Sequence, residues 1–552
     1  MQDQALSAST PASAAAACWD WANAQDWQGR RALVLGAGES GLATAQWLAS
    51  RGMTIRLVDS RSDLPLAQSL AQANGQVELL LGQPMPFSPQ LLRGVDLLVP
   101  SPGLSPIPDR PQSIAALLQA AQQQGLAMAS ELDLFDWALE QDHQAASHDQ
   151  DGSQELALAR PVVLAVTGSN GKTTTAKLCA HLLASIGLDV ELAGNVSPSL
   201  LQALQSRQAR HQPPKAWILE LSSFQLAFSS RFSPTAASVL NLSQDHLDWH
   251  LDYDDYAQSK LRVFGLPQPT ATIVLNRDDE PLARRISAMR SSVSSGAKPR
   301  RTRAQEDSPG LVSFGSDRPA SEGPSFGVLR EALDWLAFQP AAWTPGDEPP
   351  PLVRLMPAQA LRLRGTHHWL NAQAALALCL SVTDDLAGLL FALREYQGEA
   401  HRMQTIATAR GIEFVDDSKG TNVGATVAAL RGDLQLTAVI LGGQGKGQSF
   451  EELAEVVSQT GAHGVCIGEA GPEIMTAIVA RGGTAEPASD MADAVQKASS
   501  WILAQRSEGQ STGRVLLSPA CASFDLFQNY ADRARVFVEV VGRQIEQWGE
   551  PC

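Results

Sequence analysis

The stretch PVVLAVTGSNGKTTTAK, residues 161–177, decides the fold. Its apolar run reads as a strand buried on both faces, the kind found in a parallel sheet covered by helices. A turn of Gly, Ser and Asn follows, and Lys-Thr-Thr-Thr opens a helix. Backbone N–H groups in such a turn cradle phosphate oxygens at a helix N-terminus. Lys172 brings a positive charge toward the β and γ phosphates, and Thr173 or Thr174 brings a hydroxyl within reach of Mg²⁺. The common phosphate loop needs a glycine five positions before its Gly-Lys pair; here that position is Val166. The segment therefore predicts a nucleotide and leaves the reaction open.

Working outward, the same α/β style recurs on both sides. Toward the N-terminus, RALVLGAGESGLATAQWLASRG (31–52) reads strand, tight glycine turn, helix, and is followed by TIRLVDS (54–60), QVELLLG (76–82) and VDLLVPSPG (95–103) as further short strands. EQDHQAASHDQDGSQE (140–155) is polar and poor in aliphatics, the composition of a linker or surface loop. After the phosphate loop come AWILELSS (216–223), AASVLNLS (236–243) and ATIVLN (271–276), then a Ser-, Pro- and Arg-rich region over 285–360 in which only patches such as LVSFG (311–315) are apolar. That region reads as small strands with long insertions. A third unit begins near residue 400, with IEFVDDS (412–418), LTAVILGG (436–443), GVCIGE (464–469) and RVLLSPA (514–520) as its strands.

The expected organisation is a variable extension over 1–28, then three domains at 29–157, 158–399 and 400–552, with insertions in the second at about 285–350. A chain of 552 residues calls for several domains, and 44% hydrophobic residues suffices for their cores. The formal net charge is −16, from 58 acidic and 42 basic residues with no dense Lys/Arg run, so a nucleic-acid partner is not expected. The six cysteines are scattered with no C-x-x-C, which argues against a disulfide framework or a cysteine zinc site and fits a reducing, cytoplasmic setting. The N-terminus lacks the basic start and apolar core of a signal peptide, and no run approaches 20 apolar residues, so no stable membrane insertion is expected.

Gly36, Gly38 and Gly41 form G-x-G-x-x-G directly after a strand, and Asp59 ends the next strand, where a ribose-binding acid would sit. The obvious reading is a nicotinamide or flavin cofactor. Small residues and a helix N-terminus serve any diphosphate equally well, so another diphosphate ligand or a purely structural turn stays open on this motif alone.

Ten segments, taken together and in order, carry a resemblance: SPG (101–103), TGSNGKTTT (167–175), ELSSFQL (220–226), NLSQDHLDWH (241–250), NRDD (276–279), GTHHWLN (365–371), HR (401–402), DDSKGTN (416–422), LGGQGKG (441–447) and LLSPACASFDLFQNY (516–530). The chain resembles the Mur ligases, most closely the branch that adds D-glutamate. The DNPR- and DDP-type segments of the branch that adds a diamino acid are absent. The resemblance implies an α/β protein of three domains: a Rossmann-like N-terminal domain for the UDP substrate, a central P-loop-type ATPase domain, and a Rossmann-like C-terminal domain that receives the amino acid. It turns the glycine cluster from a dinucleotide site into a UDP site.

Residue by residue, the resemblance implies these roles. Gly38, Glu39, Ser40, Asp59, Ser60, Arg61 and Asn195 contact UDP-N-acetylmuramoyl-L-alanine, with the Glu39 side chain expected to point away from the diphosphate. Gly168, Ser169, Asn170, Gly171, Lys172, Thr173, Thr174, Asn276, Asp279, His367, Asn371 and Arg402 bind ATP; His368 stands where the family commonly has Asn. Thr173, Glu220, His246 and a carbamylated Lys260 serve Mg²⁺. Lys419, Thr421, Lys446, Ser523, Phe524 and Tyr530 take D-glutamate, whose two carboxylates suit lysines and hydroxyls. Lys172, His246, Lys260 and Lys419 are the catalytic candidates. Read from the sequence alone, Lys260 in YAQSKLRVF is an ordinary solvent-facing helix lysine. The implied activity is ATP-dependent amide formation through an acyl phosphate, by a cytoplasmic monomer in peptidoglycan precursor synthesis.

Three competing readings keep their own signatures. Another ligase of the superfamily would use a different amino acid. A nicotinamide oxidoreductase fused to a nucleotide module would bind NAD tightly. A non-catalytic nucleotide scaffold would have no need of Lys172, Glu220, His246 and Lys419 together.

Overall fold

The run at 161–167 forms the strand Val162–Thr167, parallel to Ala216–Glu220 on one side and Ala236–Val239 on the other. The computed structural model describes residues 27–148, 161–265, 272–296, 310–321, 323–340, 351–363, 365–431, 435–445, 447–505 and 512–549. Among these, the central sheet runs in the order Val353–Pro357, Asp334–Gln339, Ser325–Arg330, Gly310–Phe314, Thr272–Asn276, Ala236–Val239, Val162–Thr167, Ala216–Glu220, Val190–Gly194. Its middle strands are buried along nearly their whole length, which is why they read as unbroken apolar runs. The small strands expected in the Ser-, Pro- and Arg-rich region are present. Gly310–Phe314 continues the parallel sheet, and Ser325–Arg330, Asp334–Gln339 and Val353–Pro357 add an antiparallel meander. Residues 297–309 and 341–350 of that region lie outside the described residues.

The N-terminal sheet is parallel throughout, in the order Val77–Leu80, Thr54–Val58, Arg31–Leu35, Leu97–Pro100, Ala127–Met128. Its glycine turn is sterically forced: a Cβ on Gly41 would lie 1.8 Å from the Gly36 carbonyl oxygen. The helix Glu39–Ser50 therefore starts hard against the strand end. Trp27, Trp47 and Trp137 pack edge-to-face with centroids 5.1–6.0 Å apart, each pair adding about 0.5–1.5 kcal/mol beyond its burial.

Of the stretch expected to be a linker, residues 140–148 are helical and 149–155 lie outside the described residues. The helix Glu131–His148 takes in the former, because its apolar face (Leu132, Phe135, Ala138 and Leu139) is buried and its polar face is tied down. Arg231 pairs with Asp136 and Glu140 on that face, so charged residues that read as linker are anchors. Phe135 meets Trp217 of the central sheet edge-to-face at 5.0 Å, and one hydrophobic cluster spans both sheets.

The C-terminal sheet runs Gln404–Ala409, Ile412–Asp416, Gly513–Leu517, Leu436–Gly442, His463–Ile467, Thr484–Pro487, antiparallel only at the first pair. It is reached from the central domain through a short connection in which Gly398, His401 and Met403 all have positive φ. This α/β architecture of three sheets agrees with the expected fold.

Candidate active site

The site lies beyond the carboxyl ends of the central strands, where ligands collect in parallel α/β sheets. Gly168 (φ +149°) and Gly171 (φ +81°) let the chain turn tightly between Val162–Thr167 and the helix Lys172–Ser185. A Cβ on Gly171 would also stand 2.5 Å from Asn371 Oδ1, so glycine is required twice over. Asn241, just past the neighbouring strand, holds the loop: its Oδ1 accepts from the Asn170 N–H at 2.9 Å and its Nδ2 donates to the Asn170 carbonyl at 3.1 Å. The Ser169 hydroxyl meets the Tyr256 hydroxyl at 2.7 Å.

Two lysines converge on one carbonyl. Gly168 O accepts from Lys172 Nζ at 2.8 Å and from Lys260 Nζ at 2.9 Å. The expectation of a solvent-facing Lys260 is overturned: the residue is 2% exposed, with its Nζ 4.8 Å from the Tyr256 ring centroid. The helix Tyr253–Leu261 turns Tyr256 and Lys260, four residues apart, onto its buried face. Burial, then the charge of Lys172, drives the Lys260 amine well below the usual lysine range against the opposing pull of Asp245 and Glu220. Burial likewise lowers Lys172, with Glu220 and Asp245 pulling it back up.

Glu220 ends its strand at 1% exposure. Its Oε1 accepts from Asn195 Nδ2 at 2.8 Å, whereas its Oε2 is buried with no hydrogen-bond partner. His246 follows the next strand with φ +56°, packed against Phe224 at 4.6 Å and with its Nε2 3.5 Å from Asp245 Oδ2. Among the described residues no group of three or more His, Cys, Asp or Glu side chains gathers to hold an ion alone. An orphaned carboxylate oxygen on a residue that lines the same cavity as Thr173 and the phosphate loop still fits Mg²⁺, a hard cation usually held by one or two carboxylates together with substrate phosphates.

The C-terminal domain closes the other side. A cavity of about 350 Å³ is lined by Ser169, Lys172, Thr173, Asn195, Glu220 and His246 from the central domain and by Arg402, Lys419, Thr421, Asn422 and Tyr530 from the C-terminal one. Lys419 Nζ lies 5.4 Å from the Tyr530 ring centroid. Burial, then the charge of Arg402, lowers Lys419 to about 8. Behind it, Arg533 at 1% exposure donates to Ser418 Oγ, Ser418 O and Cys521 O, tying the two acceptor-side turns together. A second cavity of about 550 Å³ adjoins the first, lined by Asn170, Gly171, Thr174, Asn276, His367, Asn371 and Arg402 among others. Arg402 borders both, as the link between them.

Several expected contacts take other partners. Both carboxylate oxygens of Asp279 are engaged by backbone, accepting from Leu242 N at 2.7 Å and Leu282 N at 3.0 Å; Asp278 lines the larger cavity instead. Asn276 Nδ2 donates to Leu240 O at 2.7 Å. Asp59 is not a free ribose acceptor: it takes the Ala37 N–H at 2.7 Å, the Arg61 N–H at 2.9 Å and the Arg61 guanidinium through two bonds. Glu39 accepts from Ser197 Oγ at 2.9 Å and Ser199 N at 3.0 Å across the junction with the central domain. Ser40 stands beside the buried Glu131. Asn195 sits on Glu220. Ser523 is 2% exposed, Phe524 is 68% exposed, and Lys446 lies outside the described residues. Asn422 belongs to the DDSKGTN turn, whose crowded charged and hydrogen-bonding groups the sequence shows. Asn241 and Arg533 are not among the expected site residues: their partners are distant in sequence, and only the NLSQDH segment around Asn241 hints at either. No helix among the described residues is long and apolar enough to cross a membrane.

Residues 30–129 match the model of the Mur ligase MurD-like N-terminal domain, 166–310 the Mur ligase middle domain and 401–521 the Mur ligase glutamate ligase domain. A UDP-N-acetylmuramoylalanine--D-glutamate ligase of Paraburkholderia xenovorans (strain LB400) is 43% identical over 530 residues, covering 93% of this chain and 96% of that one. A protein of the same name from Cupriavidus pinatubonensis (strain JMP 134 / LMG 1197) is also 43% identical over 530 residues, covering 92% and 96%. Among solved structures, MurF from Acinetobacter baumannii shares the fold at TM-score 0.52 and 16% identity, over 93% of this chain and 91% of that one.

Proposed function

The chain belongs to the Mur ligase family, in its MurD branch, and from that premise we propose that it joins D-glutamate to UDP-N-acetylmuramoyl-L-alanine with conversion of ATP to ADP and phosphate. As a Mur ligase it acts on UDP-N-acetylmuramoyl-peptide intermediates of peptidoglycan synthesis. The observation that carries the finer reading is the smaller cavity, which brings Lys172, Glu220 and His246 against Lys419 and Thr421. Such a space suits a reaction between a phosphorylated carboxyl group and an anionic amino acid.

In this reading the terminal carboxylate of the UDP substrate attacks the γ-phosphorus, the bond to the bridging oxygen breaks, and ADP leaves. The carboxylate has become an acyl phosphate, a far better electrophile. Lys172 and the N–H groups of residues 171 and 172 stabilise the charge on the transferring group, those of Ser169 and Asn170 being taken by Asn241. Thr173 and Glu220 Oε2 would hold Mg²⁺, with His246 beside them. When bound, the ion neutralises phosphate charge. Lys260 supports the site as a carbamate: its neutral amine adds CO₂ and releases a proton, which turns a buried base into an anion facing the phosphate loop. Lys419 and Thr421 then position the carboxylates of D-glutamate. Its amine loses a proton, attacks the acyl carbon and expels phosphate, leaving an amide. Gly36, Gly38 and Gly41 serve the UDP group in this reading.

The test is phosphate release from ATP and Mg²⁺ with UDP-N-acetylmuramoyl-L-alanine, amino acids being supplied one at a time. Release that requires D-glutamate, with a matching mass gain on the UDP substrate, is expected. Release driven by a different amino acid would move the chain to another specificity. No release with any amino acid would refute the ligase reading.

A further inference from the structure

The helix Val423–Arg431 of the C-terminal domain begins directly against the phosphate loop of the central domain. Its preceding residue, Asn422, is 7% exposed and uses its amide in two directions. Oδ1 accepts from the Ala425 N–H at 2.9 Å, which caps the helix. That bond turns Nδ2 outward, where it donates to Asn170 Oδ1 at 3.1 Å and to Asp245 Oδ2 at 3.3 Å. One acceptor lies in the phosphate loop. The other directly precedes His246. A second observation comes from Gly424, one residue into the helix. A Cβ there would lie 3.0 Å from Ser243 Oγ and 3.1 Å from Asn170 Nδ2, both on the central domain. Gly424 does not have positive φ, so its own backbone would accept a side chain. What crowds one is the closeness of the other domain, whose Ser243 and Asn170 side chains would have to give way by a few tenths of an ångström.

We propose that Asn422 and Gly424 form the docking contact that sets the C-terminal domain on the central domain, and that Asn422 is a positioning residue acting through Asn170 and Asp245. Lys419 and Thr421 belong to the same turn, three residues and one residue before Asn422. Seating Asn422 therefore fixes how far these acceptor-side groups stand from the phosphate loop. The bond to Asp245 also holds the residue next to His246. The amide is chemically suited to this work. It is neutral, it caps with one end and bridges two acceptors with the other, and no other side chain of its size does both. The inference rests on the ligase reading of the site for its consequence in turnover, and on geometry alone for the contact.

The full-length chain tests it, with a fluorophore pair on the central and C-terminal domains reporting the docked fraction. Asn422→Asp keeps size and cap but sets a carboxylate against that of Asp245. Asn422→Ser keeps the cap and loses the bridge. Gly424→Ala favours the helix by intrinsic propensity yet crowds Ser243 and Asn170. The expected results are a fall in kcat/KM for D-glutamate of about 100-fold for Asn422→Asp and about tenfold for each of the other two, with kcat affected more than KM. The docked fraction is expected to drop in parallel, and the melting temperature of Gly424→Ala to be unchanged or raised. A purely structural role for Gly424 would lower that temperature instead. Variants that dock and turn over like the parent would overturn the proposal, as would lost turnover with an unchanged docked fraction. If Asn422→Asp does not fold, the other two variants decide. If the parent releases no phosphate with any amino acid, the ligase reading fails, and the docked fraction with a non-hydrolysable ATP analogue still tests the contact.

Discussion

The side-chain amide of Asn195 donates to Oε1 of Glu220 at 2.8 Å, and Oε2 of the same buried carboxylate has no protein partner. One oxygen is thus fixed in place and the other is free for a cation. Glu220→Gln is expected to abolish Mg²⁺-dependent turnover. Asn195→Ala is expected to raise the Mg²⁺ concentration for half-maximal rate by about tenfold, the effect of removing a partner that orients a metal ligand. Titration of the rate with Mg²⁺ checks both; an unchanged midpoint in Asn195→Ala would show that Glu220 needs no orientation.

Lys260 sits in a closed pocket rather than at the surface, and burial pushes its amine well below the usual lysine range. With ¹³C-labelled bicarbonate, the parent enzyme is expected to show a carbamate carbon resonance that is missing in Lys260→Met. The variant is expected to lose at least about 100-fold in kcat, the scale of removing one charge-stabilising group. Absence of the resonance in the parent, with rates indifferent to CO₂, would leave Lys260 as a hydrogen-bond donor to Gly168 O and Thr167 Oγ1.

Lys419, lowered to about 8 by burial and then by Arg402, carries its charge at pH 7 and loses it above that value. The kcat/KM for D-glutamate is therefore expected to fall above about pH 8. Lys419→Arg should remove that limb, since a guanidinium stays protonated. The linkage to stability has a defined sign. Because the folded value lies below the ordinary 10.5, the unfolded chain binds more protons between about 8 and 10.5, and this group makes the fold more stable as pH rises through that window. An alkaline limb that survives in the arginine variant would assign the titration to another group.

Asp59 is pushed up by burial but pulled down further by hydrogen bonds from Arg61 and from the Ala37 N–H, to about 2. Its stabilisation is full above the unfolded value of 3.8 and is lost as pH falls toward 2. Asp59→Asn is expected to speed hydrogen exchange of the Ala37 amide at pH 7 and to have little further effect once the pH falls below 2. Equal protection in parent and variant at pH 7 would show that the carboxylate does not hold the glycine turn.

The phosphate loop, the parallel strands and the three-domain plan were legible in the sequence because each rests on local chemistry. Unbroken apolar runs mark buried parallel strands, and Gly168 and Gly171 are demanded by backbone angles that few other residues adopt. The ordered motifs likewise singled out Lys172, Glu220, His246 and Lys419, which the structure brings to one cavity. The tertiary structure decided the rest. Lys260 looks like any helix lysine until the Tyr256 face is turned inward. Residues 140–148 look like a linker until Arg231 and a buried apolar face draw them into a helix. Asp59 looks like a ribose acceptor until Arg61 and the Ala37 amide occupy its oxygens. The two pairs Asn195–Glu220 and Asn422–Asp245 lie 25 and 177 residues apart in the chain, so no local pattern can encode them. Burial and hydrogen-bond satisfaction depend on what the fold packs against a side chain, which is why they decide its charge and reach only after the chain has folded.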